Sequence, residues 1–105
     1  MEYDTSKTKE WEDFIAGRIP MKYVVTTAGK ALVFDSEILH SSVVESPALA
    51  LAAGFVCINQ RGVHCFGTSI TLGVDSRGDE DALLVRKELV ERLPAALVEQ
   101  FPPQK

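Results

Sequence analysis

Residues 53–72, AGFVCINQRGVHCFGTSITL, decide the fold. Val, Ile, Cys, Phe and Thr dominate the run, and branched or aromatic side chains suit a pleated surface. Asn59, Gln60, Arg61 and Gly62 interrupt it, and Gly62 supplies the positive φ that a tight reversal needs. A loop of Gln60 and Arg61 sets Ile58 opposite Val63, Val56 opposite Cys65 and Gly54 opposite Gly67. Phe55, Cys57, His64, Phe66 and Ile70 then share the other face. Both faces are substantially apolar, whereas a sheet wet on one side alternates more cleanly. Each face therefore requires a cover: helices on one, and a long loop or a partner subunit on the other. A slip of one residue would bring Cys57 and Cys65 directly opposite each other, and the sequence alone leaves both registers open.

Upstream, Lys22–Thr27 and Ala31–Phe34 form a second hairpin around Gly29. It is less hydrophobic than the first and supplies an edge strand. Trp11, Phe14 and Ile15 lie three or four apart, which predicts a short helix over Lys9–Ala16, capped by Ser6 or Thr8 and stopped at Gly17. Between the hairpins, Asp35–Ala50 mixes capping residues, branched residues and a proline. Asp35 or Ser36 is expected to start a helical turn reaching His40. Ser46-Pro47 is expected to break the chain or open another short helix.

Downstream, Gly73–Gly78 reads as a turn-rich link. A C-terminal helix follows from Asp79 to Leu93 or Leu97, with Asp79, Glu80 and Asp81 at its positive end and Arg92 near its negative end. Ser76 and Asp79 have capping-box spacing. Ala82, Val85, Leu89 and Leu93 form the apolar stripe, widened by Leu83 and Val90. At about 100° per residue, Arg86 falls inside that stripe and Leu84 falls opposite it. The expected fold is α+β: a small antiparallel sheet of about four strands from two hairpins, covered by a C-terminal helix and a short N-terminal helix. Residues 1–105 make a single domain, with loose ends at 1–5 and 102–105.

The chain has 105 residues, 46% hydrophobic and 25% charged, which suits one folded domain with a modest core. A net charge of -4 disfavours general nucleic-acid binding, which would need Lys22, Lys30, Arg61 and other cations gathered on one face. Two cysteines are too few for a disulfide scaffold, and Cys57, His64 and Cys65 lack zinc spacing, so no metal is expected. The acidic start has no signal-peptide pattern and no stretch is long and apolar enough to span a membrane, so a cytoplasmic location is expected.

Four groupings bear on chemistry. GTSITLGVDSRGDED, residues 67–81, joins strand to helix and is rich in Gly, Ser and Thr. It matches neither the phosphate-loop nor the dinucleotide pattern, and its acids oppose an anion, so no cofactor is expected. Within and after it, Ser69, Arg77 and Arg86 are the candidate ligand-binding residues. His40 followed by Ser41 is the candidate catalytic pair, without a Gly-flanked nucleophile elbow. Cys57 and Cys65 sit mid-strand, where free cysteine is usually a small core group. Asp75, Asp79, Glu80 and Asp81 lack the EF-hand spacing. Trp11 is either an anchor for its helix or an exposed contact, and Leu84 is the other candidate interface residue.

No motif decides between enzyme and binding module. The first expectation is a small interaction or accessory domain acting through protein–protein contacts, as a homodimer or with another protein partner. The alternative is a ligand-binding protein or hydrolytic enzyme with its site between the 35–46 connection and the 67–81 loop. In that case His40, Ser41, Ser69, Arg77 and Arg86 converge in one cleft.

Overall fold

The structure, a computed structural model, describes residues 8–102. The Ser6 cap and all but Pro102 of the expected loose ends lie outside these residues. The elements run α1 (Thr8–Ile15), β1 (Met21–Thr26), β2 (Ala31–Phe34), β3 (Ala50–Asn59), β4 (Gly62–Phe66), β5 (Thr68–Ser69), β6 (Val74–Asp75), α2 (Asp79–Arg92) and α3 (Ala95–Val98). Four antiparallel strands form one sheet in the order β2-β1-β3-β4, and β5 pairs with β6 in a small separate ribbon. The fold is the expected α+β arrangement, with β2 at one edge. Thr68–Leu72, expected to continue the main hairpin with Ile70 on its face, instead leaves the sheet: β5 pairs with β6 from the expected turn-rich link, and Ile70 lies exposed in the turn between them. The ribbon's strands are two residues each, too short to show alternation.

The register of the main hairpin follows from its turn. Asn59 Oδ1 accepts the Arg61 N–H at 2.8 Å and Gly62 takes φ 103°, so the chain reverses at Gln60–Arg61. Ile58 then pairs with Val63, Val56 with Cys65, and Cys57 with His64. Pairing ends at Phe55–Phe66, so Gly54 and Gly67 are not partners. Because side chains alternate, Cys57 and Cys65 point to opposite faces, and both are free thiols.

One face carries Met21, Tyr23, Val25, Ala31, Val33, Ala52, Val56, Ile58, Val63 and Cys65. The helices cover it with Trp11, Phe14, Ile15, Ala82, Val85, Leu89, Leu93 and Leu97. Trp11 is buried edge-on against Phe14, with ring centroids 5.9 Å apart, so it is an anchor for α1 and not an exposed contact. Gly17 ends α1 as expected. Its φ is 80°, its N–H donates to Phe14 O, and Arg18 N–H reaches back to Asp13 O, which is the αL termination with paired 6→1 and 5→2 bonds. A side chain there would also meet Ile58 O at 2.8 Å.

The start of α2 is fixed by a buried polar cluster. Tyr23 O–H donates to Asp81 Oδ2 at 2.5 Å, and the Ser76 hydroxyl lies 2.6 Å from the same phenolic oxygen. Asp81 also accepts from Arg77 N and Arg77 Nε, both at 2.7 Å, while Ser76 Oγ accepts the Gly78 N–H. Asp81 thus reaches back as the capping acid, a role the spacing had given to Asp79. Its carboxylate is fully buried, which requires such partners. Gly54 makes room for this cluster: a Cβ there would lie 3.2 Å from Ser76 Cβ and 2.4 Å from Phe66 O.

Drawing Asp81 inward rolls α2 about its axis. Leu84, expected on the outer face, is half-buried against the helix-side core. Leu83 and Val90, expected to widen the apolar stripe, are 65% and 37% exposed. The sequence stripe missed this because it weighed apolar residues alone, whereas a carboxylate pointing into the core sets the orientation. Leu84 is therefore not an exposed interface residue, and Leu83 takes the exposed position.

Candidate functional site

The second face of the sheet has no helix over it. Lys22, Val24, Phe34, Ala53, Phe55, Cys57, His64 and Phe66 project there by alternation. Its cover is the long connection between β2 and β3 together with the β5–β6 ribbon. Val24, Phe34, Ala50, Ala53 and Leu72 form a second, smaller core, flanked by Val43, Val44 and Val74. The connection is irregular for local reasons. Asp35 Oδ1 accepts the Glu37 N–H and Asp35 O accepts the Ile38 N–H, closing a turn rather than a helix. A single 3₁₀ turn follows at His40–Ser42. Another spans Pro47–Leu49, where Ser46 Oγ accepts the Ala48 N–H, as the Ser-Pro pair suggested.

His40 is the keystone of this cover. Its ring lies edge-on to Phe34 and to Phe55, with centroids 5.7 and 5.9 Å away. Nε2 is 2.8 Å from Gly54 O. A carbonyl only accepts, so Nε2 carries the hydrogen and Nδ1 keeps its lone pair. Burial and, to a smaller degree, the Lys22 ammonium lower the His40 pKa from its ordinary value, and the Gly54 carbonyl opposes them only in part. The neutral imidazole is therefore the resting form near neutral pH. Among the described residues, the only fully buried side-chain nitrogen or oxygen lacking a partner is Arg86 Nε. Nδ1 makes no hydrogen bond to a described residue and is not among these fully buried atoms.

Beside His40 opens a cavity of about 220 Å³ lined by Lys22, Leu39, His40, Phe55, Thr68, Ile70 and Thr71. Lys22 Nζ donates to Ile38 O at 2.9 Å and so ties the connection to β1. Thr68 donates its hydroxyl hydrogen to Asp75 Oδ1 across the ribbon. Thr71 Oγ1 is 3.4 Å from Ser69 Oγ, and Ser69 Oγ accepts the Leu72 N–H. The cavity thus has one ammonium, two hydroxyls, one neutral imidazole and apolar walls from Leu39, Phe55 and Ile70. No carboxylate lines it.

The expected cleft is therefore only partly formed. His40 does meet the 67–81 segment, through Thr68, Ile70 and Thr71. Ser69 is buried, with its hydroxyl inside the ribbon turn. Ser41 is exposed and not in the cavity wall. Arg77 belongs to the opposite face, held by Asp81 against Tyr23. Arg86 is half-buried on α2 and lines a groove of about 310 Å³ with Leu83, Lys87, Val90 and Glu91, all from that one helix. Among the site residues, Lys22 was weighed in the sequence only for nucleic acid. Its signal was present: it shares a strand parity with Val24, on the face opposite Tyr23 and Val25, so it had to lie under the connection or beside it.

Two further features bear on chemistry. Burial pushes the Cys65 thiol up to about 12, helped by the Asp81 carboxylate, and burial also raises Cys57. Neither is an activated thiolate. Among the described residues no three His, Cys, Asp or Glu side chains cluster as a metal site would require, and no helix is long and apolar enough to cross a membrane. No protein family, curated protein or solved structure matches the chain, so the local geometry alone carries the functional reading.

Proposed function

We propose that the protein binds a small molecule in the cavity between the 35–46 connection and the 67–75 ribbon. The observation that carries this reading is His40. A buried imidazole fixed as one tautomer by Gly54 O, in the wall of a recess it shares with one ammonium, two hydroxyls and three apolar side chains, is a prepared polar contact. Buried polar side-chain atoms are mostly hydrogen-bonded, to protein or to water, so a His40 Nδ1 without a described protein partner is available to a ligand. The reading moves ahead of a pure interaction domain because the fold draws together groups that are far apart in the chain. Lys22 comes from β1, His40 from the connection, and Thr68 and Thr71 from the ribbon.

The test is a protein-detected NMR screen of the full chain against fragments of mixed charge. Binders are expected to shift the amides of Leu39, His40, Phe55 and Thr68–Leu72 saturably. A screen in which no fragment of any charge perturbs that set would refute the proposal.

A second reading keeps the chain as an interaction domain that pairs with a copy of itself. Its specific support is Leu83 and Val90, two turns apart on the outer face of α2 and both exposed. Native mass spectrometry under reducing conditions tests it: a mass of two chains that reverts to one in Leu83→Asp supports it, and one chain at all concentrations rules it out. Under both readings the proposal includes a cytoplasmic location, consistent with two free thiols.

A further inference from the structure

We infer that the ligand of this cavity is a short hydroxycarboxylate, its acid group held by Lys22 and Thr71 and its hydroxyl donating to His40 Nδ1. The inference rests on the ligand-binding reading above and specifies the chemistry of the same cavity.

The donors and acceptors left over in the wall define the class. Lys22 has three N–H groups and gives one to Ile38 O, so two remain. Thr71 can accept from Ser69 and still point its own hydrogen outward. These three donors suit the two oxygens of an anion. Thr68 is different: its hydrogen is committed to Asp75, so toward the cavity it offers only lone pairs. His40 Nδ1 likewise only accepts. A matching ligand must therefore carry both an anionic acceptor and a donor.

Charge narrows the class further. Among the described residues a single ammonium and no arginine line the cavity, and the Asp75 carboxylate stands one hydrogen bond behind Thr68. A monoanion is balanced there, whereas a phosphate dianion would meet too little positive charge. The ligand's donor is better a hydroxyl than an ammonium, because a second cation would sit beside Lys22. Leu39, Phe55 and Ile70 leave an apolar wall for a small hydrocarbon group. The recess of about 220 Å³ opens to solvent, with Ile70 91% exposed on its rim, so a short chain fills it and a longer one would extend into water.

The experiment titrates the full-length protein, isotope-labelled, with four probes: 2-hydroxyisovalerate, isovalerate, the neutral 2-hydroxyisovaleramide and inorganic phosphate. The hydroxy acid is expected to shift the Thr68–Leu72 amides and the His40 ring nitrogens saturably. Isovalerate should bind about fivefold more weakly, the worth of one hydrogen bond. Lys22→Gln should weaken the hydroxy acid at least about tenfold, as loss of a charged hydrogen bond does. His40→Phe keeps an aromatic ring against Phe34 and Phe55 and removes both ring nitrogens. With its fold checked by the amide spectrum, that variant should bind the hydroxy acid and isovalerate alike. Amide or phosphate binding as tight as the hydroxy acid would overturn the carboxylate assignment while leaving the ligand site standing. Equal binding of the hydroxy acid and isovalerate by the unaltered protein would overturn the role given to Nδ1. If the mixed-charge screen finds no binder at all, the underlying reading fails first.

Discussion

Tyr23 and Asp81 show how far one buried carboxylate can organise a small domain. Asp81 is fully buried and accepts three hydrogen bonds, from Tyr23 and from the backbone and guanidinium of Arg77. Tyr23→Phe removes one partner and leaves the charge in place. It should lower unfolding stability by about 1–3 kcal/mol, measured by urea denaturation, because an under-satisfied buried group keeps its desolvation cost. A change below about 0.5 kcal/mol would mean that solvent or Arg77 replaces the phenol. His40 gives a pH prediction at the same scale. Its folded pKa lies below the ordinary 6.5, so the unfolded chain binds a proton first as pH falls. Its contribution to stability is complete above pH 6.5 and is lost as pH drops from there through the folded value. Thermal melts should decline over that window, and His40→Gln should flatten that decline. Neither residue was legible as a buried partner in the sequence. Tyr23 looked like any strand aromatic, and the serines beside His40 suggested a nucleophile, whereas its actual neighbours Lys22 and Gly54 are distant in the chain.

At the scale of elements, periodicity found what depends on periodicity. The α2 segment, the existence and turn of the main hairpin, and α1 with its glycine stop all follow from local spacing and turn chemistry, whereas the structure decides between the two registers the sequence left open. The Asp35–Ala50 connection does not follow from local spacing, because it is held by contacts to the sheet rather than by a repeating pattern of its own. The roll of α2 was also hidden, since it depends on Asp81 meeting Tyr23. That roll makes a contrast of neighbours. Leu84→Asp places a charge against the helix-side core and should destabilise by about 2 kcal/mol or more. Leu83→Asp, at an exposed position, should stay within about 0.5 kcal/mol when measured on the monomer. Chemical denaturation of the two variants side by side checks this, and the reverse ranking would restore the stripe drawn from apolar residues alone.

For the whole molecule, the sheet is a partition. Helices with a large core lie on one side, and a lighter cover with the candidate site lies on the other. Cys57 and Cys65 fall on different sides of it, so no bond can join them without breaking the hairpin. Mild oxidation of the folded protein should leave the single chain at its reduced mass. Intact-mass measurement reads this directly, and loss of two hydrogens from the monomer would contradict the register. The partition also explains why function was the least legible property. The polar groups of the cavity come from three separated segments, and only closure of the second face brings them within reach of one ligand.

The Tyr23–Asp81 bond joins positions 58 residues apart. A ribosome adding ~5–20 residues each second makes the second of them roughly 3–12 s after the first. Throughout that interval β1 can find β2 and then β3 and α1 can settle against the sheet, but the phenol in the middle of β1 has no carboxylate to meet, and Ala82, Val85 and Leu89 are not yet there to cover it. The nascent sheet therefore waits, its greasy side partly open, until the start of α2 leaves the exit tunnel. The larger core closes only when α2 and, after it, α3 dock on the sheet.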